Sequence, residues 1–148
     1  MRNCPLFLGL GSPHGDDQAG WLVINCLHQR GVATGDAVAL PSPDQIWHVC
    51  SADRELVLCD AAAGPGQVGT IQRWNWPGVR LPERCRGTHD LPLGDVLCLG
   101  QSLGLCPSEI TIWTISGSRF SPCDELSPSV REAAERLASS LYEACCRA

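Results

Sequence analysis

Apolar and polar positions switch between two spacings along the chain, and the switching defines the elements. Residues 6–10 (Leu-Phe-Leu-Gly-Leu) are apolar without interruption and run into Gly11-Ser12-Pro13, the pattern of a buried strand entering a loop. Asp16 and Asp17 then precede Trp21, Leu22, Ile24, Cys26 and Leu27 at helical spacing, and Gly31 ends that run. Acidic residues suit a helix start because they face the positive end of its dipole. Residues 37–40 read as a second short strand, and Pro43-Asp44 opens a helix carrying Ile46, Trp47 and Val49. The clearest strand is Glu55-Leu56-Val57-Leu58-Cys59-Asp60, apolar on successive residues as a strand buried on both faces of a parallel sheet requires.

Residues 61–66 form a small-residue loop, and residues 68–74 read as a further strand. After a Pro- and Arg-rich connection over 77–87, residues 91–103 are helical, with Leu93, Val96, Leu97 and Leu99 apolar. Residues 110–115 (Ile-Thr-Ile-Trp-Thr-Ile) have strong β-branched content. Ser127-Pro128 starts a last helix in which Val130, Ala133, Leu137 and Leu141 recur. Strands alternate with helices throughout, so the expected architecture is α/β: a three-layer αβα sandwich with a largely parallel central sheet, with phosphorylase- or hydrolase-like layering. A length of 148 residues sets the expectation of one domain over 1–148.

Charge and cysteine usage narrow the function classes. The net charge is −5 and no cluster of basic residues is present, which argues against a nucleic-acid partner. No apolar run approaches the ~20 residues needed to cross a bilayer. The apolar stretch at the N-terminus is too short for a signal-peptide core. The cytoplasm is therefore the expected compartment, and the ten cysteines are expected to be reduced. They contain no C-x-x-C pair of the kind zinc sites use, and Cys26, Cys59 and Cys98 fall at apolar positions, as core thiols do.

In open α/β sheets, ligands collect at the carboxyl ends of strands. Asp16 and Asp17 follow the first strand, Asp60 ends the third, and His89 precedes the helix over 91–103. A carboxylate directly after a run of buried aliphatics is costly to bury alone, and a cation removes that cost. Two carboxylates and an imidazole suit zinc, nickel, iron or manganese with positions left open. Each also has a plainer reading: helix-cap or turn aspartates, and a loop histidine bonded to backbone.

Together these segments resemble the hydrogenase maturation endopeptidases. The first block is Gly9-Leu10-Gly11-Ser12-Pro13-His14-Gly15-Asp16-Asp17-Gln18-Ala19-Gly20. The second runs from Leu56 through Asp60 to Gly64, followed by Gly66-Gln67-Val68-Gly69-Thr70. The third is Thr88-His89-Asp90-Leu91-Pro92-Leu93 leading to Leu103-Gly104, and the fourth is Leu126-Ser127-Pro128-Ser129-Val130. The four blocks stand in the family's order over nearly the whole chain. Ser12 stands where the family has Asn, Gln18 where it commonly has Gly, and the first loop looks one residue shorter.

The resemblance implies an endopeptidase that removes the C-terminal extension of a nickel–iron hydrogenase large-subunit precursor after nickel insertion. It assigns Asp17, Asp60 and His89 as catalytic and nickel-binding residues, with the nickel supplied by the substrate. The shorter loop makes Asp16 the alternate to Asp17. The implied partner is the large-subunit precursor, met by a monomer that presents an open site to a much larger protein, with no membrane involved. Two other readings are a non-catalytic, nickel-dependent checkpoint protein for the same subunit, and a different small α/β hydrolase or phosphorylase. Against the last, Gly9-x-Gly11 has no following Lys to complete an anion cradle. Among the remaining residues, Trp74 and Trp76 are candidate grips on the precursor or edge packing. His14 is a candidate auxiliary ligand or an exposed loop residue, and His28 and His48 are expected at the surface or core rim.

Overall fold

The computed structural model describes residues 4–64, 66–82 and 91–146. Strand β1 (Leu6–Leu10) leads through a 3-10 helix (Gly15–Gln18) into α1 (Ala19–Gln29). Strand β2 (Ala37–Leu40), a second 3-10 helix (Pro43–His48), β3 (Leu56–Ala63) and β4 (Ile71–Trp76) follow. The chain then forms α2 (Leu93–Ser102), β5 (Ile110–Gly117) and α3 (Pro128–Leu141), which continues into a π-helical turn (Tyr142–Cys146). The strands form one sheet in the order β2-β1-β3-β5-β4. All neighbours are parallel except β4, which runs antiparallel to β5. The expected three-layer α/β architecture with a largely parallel sheet is therefore the one observed. Among the described residues, no helix is long and apolar enough to cross a membrane.

The unbroken apolar runs of β1 and β3 are explained by cover on both faces. On one face Phe7, Val57, Cys59 and Ile115 pack with Val23, Ile24 and Leu27 of α1 and Val130, Ala133 and Leu137 of α3. On the other, Leu6, Leu8, Leu10, Leu56, Leu58 and Ile112 pack with Ile46 and with Leu93, Val96 and Leu97 of α2. Successive residues of β3 thus serve opposite cores, which places Asp60 on the α2 face.

Three expectations differ in detail. The segment after Pro43 is a 3-10 helix rather than an α-helix. Its six residues bury Ile46 and half-bury Trp47, whose Nε1 donates to the Val96 carbonyl at 3.0 Å, while Val49 faces solvent. The strand expected over 68–74 begins at Ile71, because Gly69 adopts a positive φ of 91° and its N–H donates to Ser116 O at 2.7 Å. Among the cysteines expected in the core, Cys59 is fully buried and Cys26 half-buried, but Cys98 is exposed on α2.

Helix α1 lies against β1 and β3 at backbone distance. A Cβ at Gly20 would stand 2.2 Å from Leu10 O and 2.6 Å from Cys59 O, and a Cβ at Gly9 would stand 2.2 Å from Gly20 O. Both obstacles at Gly20 are main chain, so no side chain can move aside. Gly20→Ala is expected to destabilise the protein by at least about 2 kcal/mol, through overpacking that only a shift of α1 relieves. Urea unfolding of wild type and variant checks this, and a change below about 0.5 kcal/mol would refute the close packing.

Candidate active site

The order β2-β1-β3 makes β1 the turning point of the sheet. The chain leaves β1 over the α1 face to reach β2 on one side, then crosses under the opposite face to β3 on the other. A crevice opens outside the carboxyl ends of such a strand pair. The register pairs Gly9 with Cys59, so the loop after β1 and the residue after Cys59 share that end of the sheet. Asp17 lies in the 3-10 helix that follows β1 and contacts β3, and Asp60 lies in β3 itself. Both are buried, at 8% and 3% exposure. His89 lies outside the described residues. Among the described residues, no group of three His, Cys, Asp or Glu side chains is spaced to hold a metal ion.

The adjacent aspartates have different surroundings. Asp16 is fully buried and turned towards the β5–α3 connection. Its Oδ2 accepts from the backbone N–H of Ser118 at 2.9 Å, from that of Arg119 at 3.0 Å and from the Ser127 hydroxyl at 2.9 Å. Its Oδ1 accepts from the Ser127 N–H at 2.7 Å, and its own N–H donates to Arg119 O at 2.6 Å. Burial alone would raise the Asp16 pKa, but the donors of Ser118, Ser127 and Arg119 outweigh it and hold the carboxyl below its ordinary 3.8. Ser127 gives its hydroxyl to Asp16 and makes no side-chain cap on α3. The Asp17 N–H donates to His14 O at 3.0 Å and its carbonyl accepts from Ser12 N–H at 3.2 Å, closing the loop on itself. His14 is half-buried, with its N–H on Ser12 Oγ at 3.3 Å.

Asp60 opens onto a cleft of about 460 Å³ between the sheet and the start of α2. Its Oδ1 accepts from the Ala61 N–H at 2.8 Å. Thr114 stands opposite it on β5 and is also buried, with its Oγ1 taking the Trp74 Nε1–H at 3.0 Å. Trp76 forms a wall, its Nε1 donating to Gln101 Oε1 at 3.2 Å, and Gly94 lies against its ring. Arg80 and Asp95 bring charge to the same cleft. Both tryptophans are thus anchored by their N–H groups, and Trp76 also offers a face to the cleft. His28 is tied to Ala37 O at 2.7 Å at the core rim, and His48 is exposed.

Sequence reasoning placed Asp17 and Asp60 at one end of the sheet but missed Thr114, Arg80 and Asp95. Thr114 was readable only as a strand residue. Asp95 reaches the cleft from α2 and Arg80 from the connection after β4, placements for which the sequence carries no local signal. Cys59 is buried behind Asp60, and burial first, then the Asp60 charge, push its thiol far above the ordinary range, so it holds no nucleophilic thiolate.

No protein-family model and no curated protein matches the sequence. Solved structures do match the fold. The nickel–iron hydrogenase maturation protease HycI from Thermococcus kodakarensis superposes with a TM-score of 0.72 at 22% identity, over 96% of this chain and 92% of that one. The hydrogenase maturating endopeptidase HybD from E. coli gives 0.67 at 22% identity, over 97% and 94%. The hydrogenase 2 maturation peptidase from a Thaumarchaeota archaeon gives 0.63 at 18% identity, over 96% and 97%. This chain shares the fold of those proteins over 96–97% of its length.

Removing the Asp16 carboxylate would strand buried donors. Asp16→Ala is expected to lower stability by about 3 kcal/mol. Because the folded pKa is depressed, the carboxylate stabilises the protein above 3.8 and this contribution is lost as pH falls through the folded pKa. Denaturant unfolding along an acid series should show Asp16→Asn less stable than wild type near neutrality. The gap should narrow in acid, and one that widens would contradict the assignment.

Proposed function

We propose that the protein is an endopeptidase of the hydrogenase maturation type, which trims the C-terminal extension from a nickel–iron hydrogenase large-subunit precursor. The observation that carries this reading is the placement of buried Asp17 and Asp60 about the carboxyl end of β1, Asp17 in the 3-10 helix that follows it and Asp60 one residue past the Gly9–Cys59 pair, in a chain with the fold of proteins described as hydrogenase maturation proteases. The cleft beside Asp60 supports it. A groove walled by Trp76 and Leu93, with Asp60, Arg80 and Asp95 as its charged groups, suits a short extended peptide.

In this reading nickel arrives as part of the substrate. Asp17, Asp60 and His89 complete the coordination of a nickel ion that the precursor holds incompletely. Metal-free precursor lacks those bonds, so docking discriminates loaded from empty substrate. The engagement of Asp16 with four donors from residues 118–127 favours Asp17 as the ligand from the first loop. His89 precedes the cleft-lining Pro92 by three positions in sequence. The chemical step is attack of water on the scissile carbonyl, with a site carboxylate as general base.

Asp60→Asn keeps an acceptor for the Ala61 N–H while removing the charge, so it separates chemistry from folding. With nickel-loaded precursor, wild type is expected to shorten the large subunit, and Asp60→Asn to do so at least about 100-fold more slowly. Nickel-free precursor should stay intact with both. Binding without shortening would replace the protease with a nickel-dependent checkpoint protein, and cleavage indifferent to nickel would overturn the three-ligand assignment.

A further inference from the structure

Outside the cleft, two thiols from distant segments meet. Cys50 follows the 3-10 helix Pro43–His48, and Cys106 lies between α2 and β5. Their Sγ atoms are 3.2 Å apart, although the residues are 56 positions apart in sequence. The Cys50 thiol also donates to Leu105 O at 2.9 Å, which leaves the Cys106 S–H directed at the Cys50 sulfur. The Cys106 sulfur is confined on its other side, because a Cβ at Gly100 of α2 would stand 2.6 Å from it and 2.9 Å from Trp47 Nε1. Cys106 is buried at 4% exposure and Cys50 is half-buried, so a small reagent meets Cys50 first.

We propose that Cys50 and Cys106 are a disulfide-forming site, which low-molecular-weight disulfides convert into an intramolecular cross-link stapling the C-terminal end of α2 to the segment after residue 48. The Cys50 thiol loses its proton to solvent, and the thiolate attacks one sulfur of the reagent. That step breaks the reagent's S–S bond and releases one thiol, leaving a mixed disulfide on Cys50. Cys106 then gives up its proton and attacks the Cys50 sulfur, expelling the second reagent thiol. The two hydrogens lost by the protein end on the two reagent thiols, so the protein is oxidised and the reagent reduced. Closing the bond to about 2.05 Å asks the sulfurs to approach by about 1.1 Å, a side-chain adjustment.

The chemistry also sets the order of attack. Burial first, then the hydrogen bond and proximity of Cys50, push the Cys106 thiol up to about 12. That suits it to act second, within the mixed disulfide, where closure is intramolecular and the Cys50 thiolate is gone. Among the described residues, the other thiol contact, Cys4 with Cys146, is wider at 3.8 Å and has Cys145 beside it. It serves as an internal comparison within the same chain.

The test treats the full-length protein with oxidised glutathione in mildly alkaline buffer, alkylates remaining thiols, and maps peptides by mass spectrometry without reduction. The expected product is a Cys50–Cys106 cross-linked peptide about 2 Da lighter than the sum of its reduced parts. The oxidised protein should melt about 5–10 °C higher than the reduced one, reversibly with dithiothreitol, and Cys50→Ser should show neither change. A stable glutathione adduct on Cys50, unmodified Cys50 and Cys106, or a cross-link confined to Cys4, Cys145 and Cys146 would each overturn the proposal. The mapping is done on wild type, so it stands whether or not the variant folds.

Discussion

A buried carboxylate cannot stay charged without donors, and Asp16 recruits all of its donors from the far end of the chain. Three backbone N–H groups and one hydroxyl from residues 118–127 converge on it. Such charge-assisted bonds are stronger than neutral ones, and low local polarity strengthens them further. They clamp the loop after β1 to the connection between β5 and α3. The 3-10 helix that carries Asp17 has no side-chain cap of its own. Its position at the carboxyl end of the sheet therefore depends on this clamp, together with the backbone packing of Gly20 on β1 and β3. One carboxylate anchors the loop, and its neighbour in sequence is held buried in the 3-10 helix against β3.

That division of labour was the part of the site least visible beforehand. Asp16 and Asp17 are chemically identical, and the first loop, read as one residue short, left either as the candidate ligand. Only the tertiary position of Ser118, Arg119 and Ser127 separates them, more than a hundred residues away. The fold was far more legible. Strand β3 announces itself by burial on both faces, and α3 by its Ser-Pro start and helical repeat. The misjudged elements are those that tertiary context decides. Six residues after Pro43 turn as a 3-10 helix, and Gly69 delays β4. Its antiparallel direction follows from a short return to the sheet edge. His89, the third residue of the expected set, lies outside the described residues.

A shared fold does not fix a function, because sites are built onto folds. What gives the likeness to HycI and HybD weight is that this chain carries carboxylates at the turning point of its sheet, where an open α/β sheet concentrates ligand chemistry. The Trp74–Thr114 and Trp76–Gln101 hydrogen bonds fix two large aromatic side chains beside Asp60, and a rigid wall loses little entropy when it receives a peptide.

The sheet ends at strands that invite no newcomer. On one side β2 is only four residues long, with Ala39 exposed. On the other, β4 turns Gln72, Arg73 and Asn75 to solvent, with the Arg73 guanidinium 5.9 Å from the centre of the Trp113 ring. Short or polar borders of this kind discourage a foreign strand from zipping onto the ladder. The sheet is thereby kept from pairing with an extended segment of another protein, and from polymerising with its own copies.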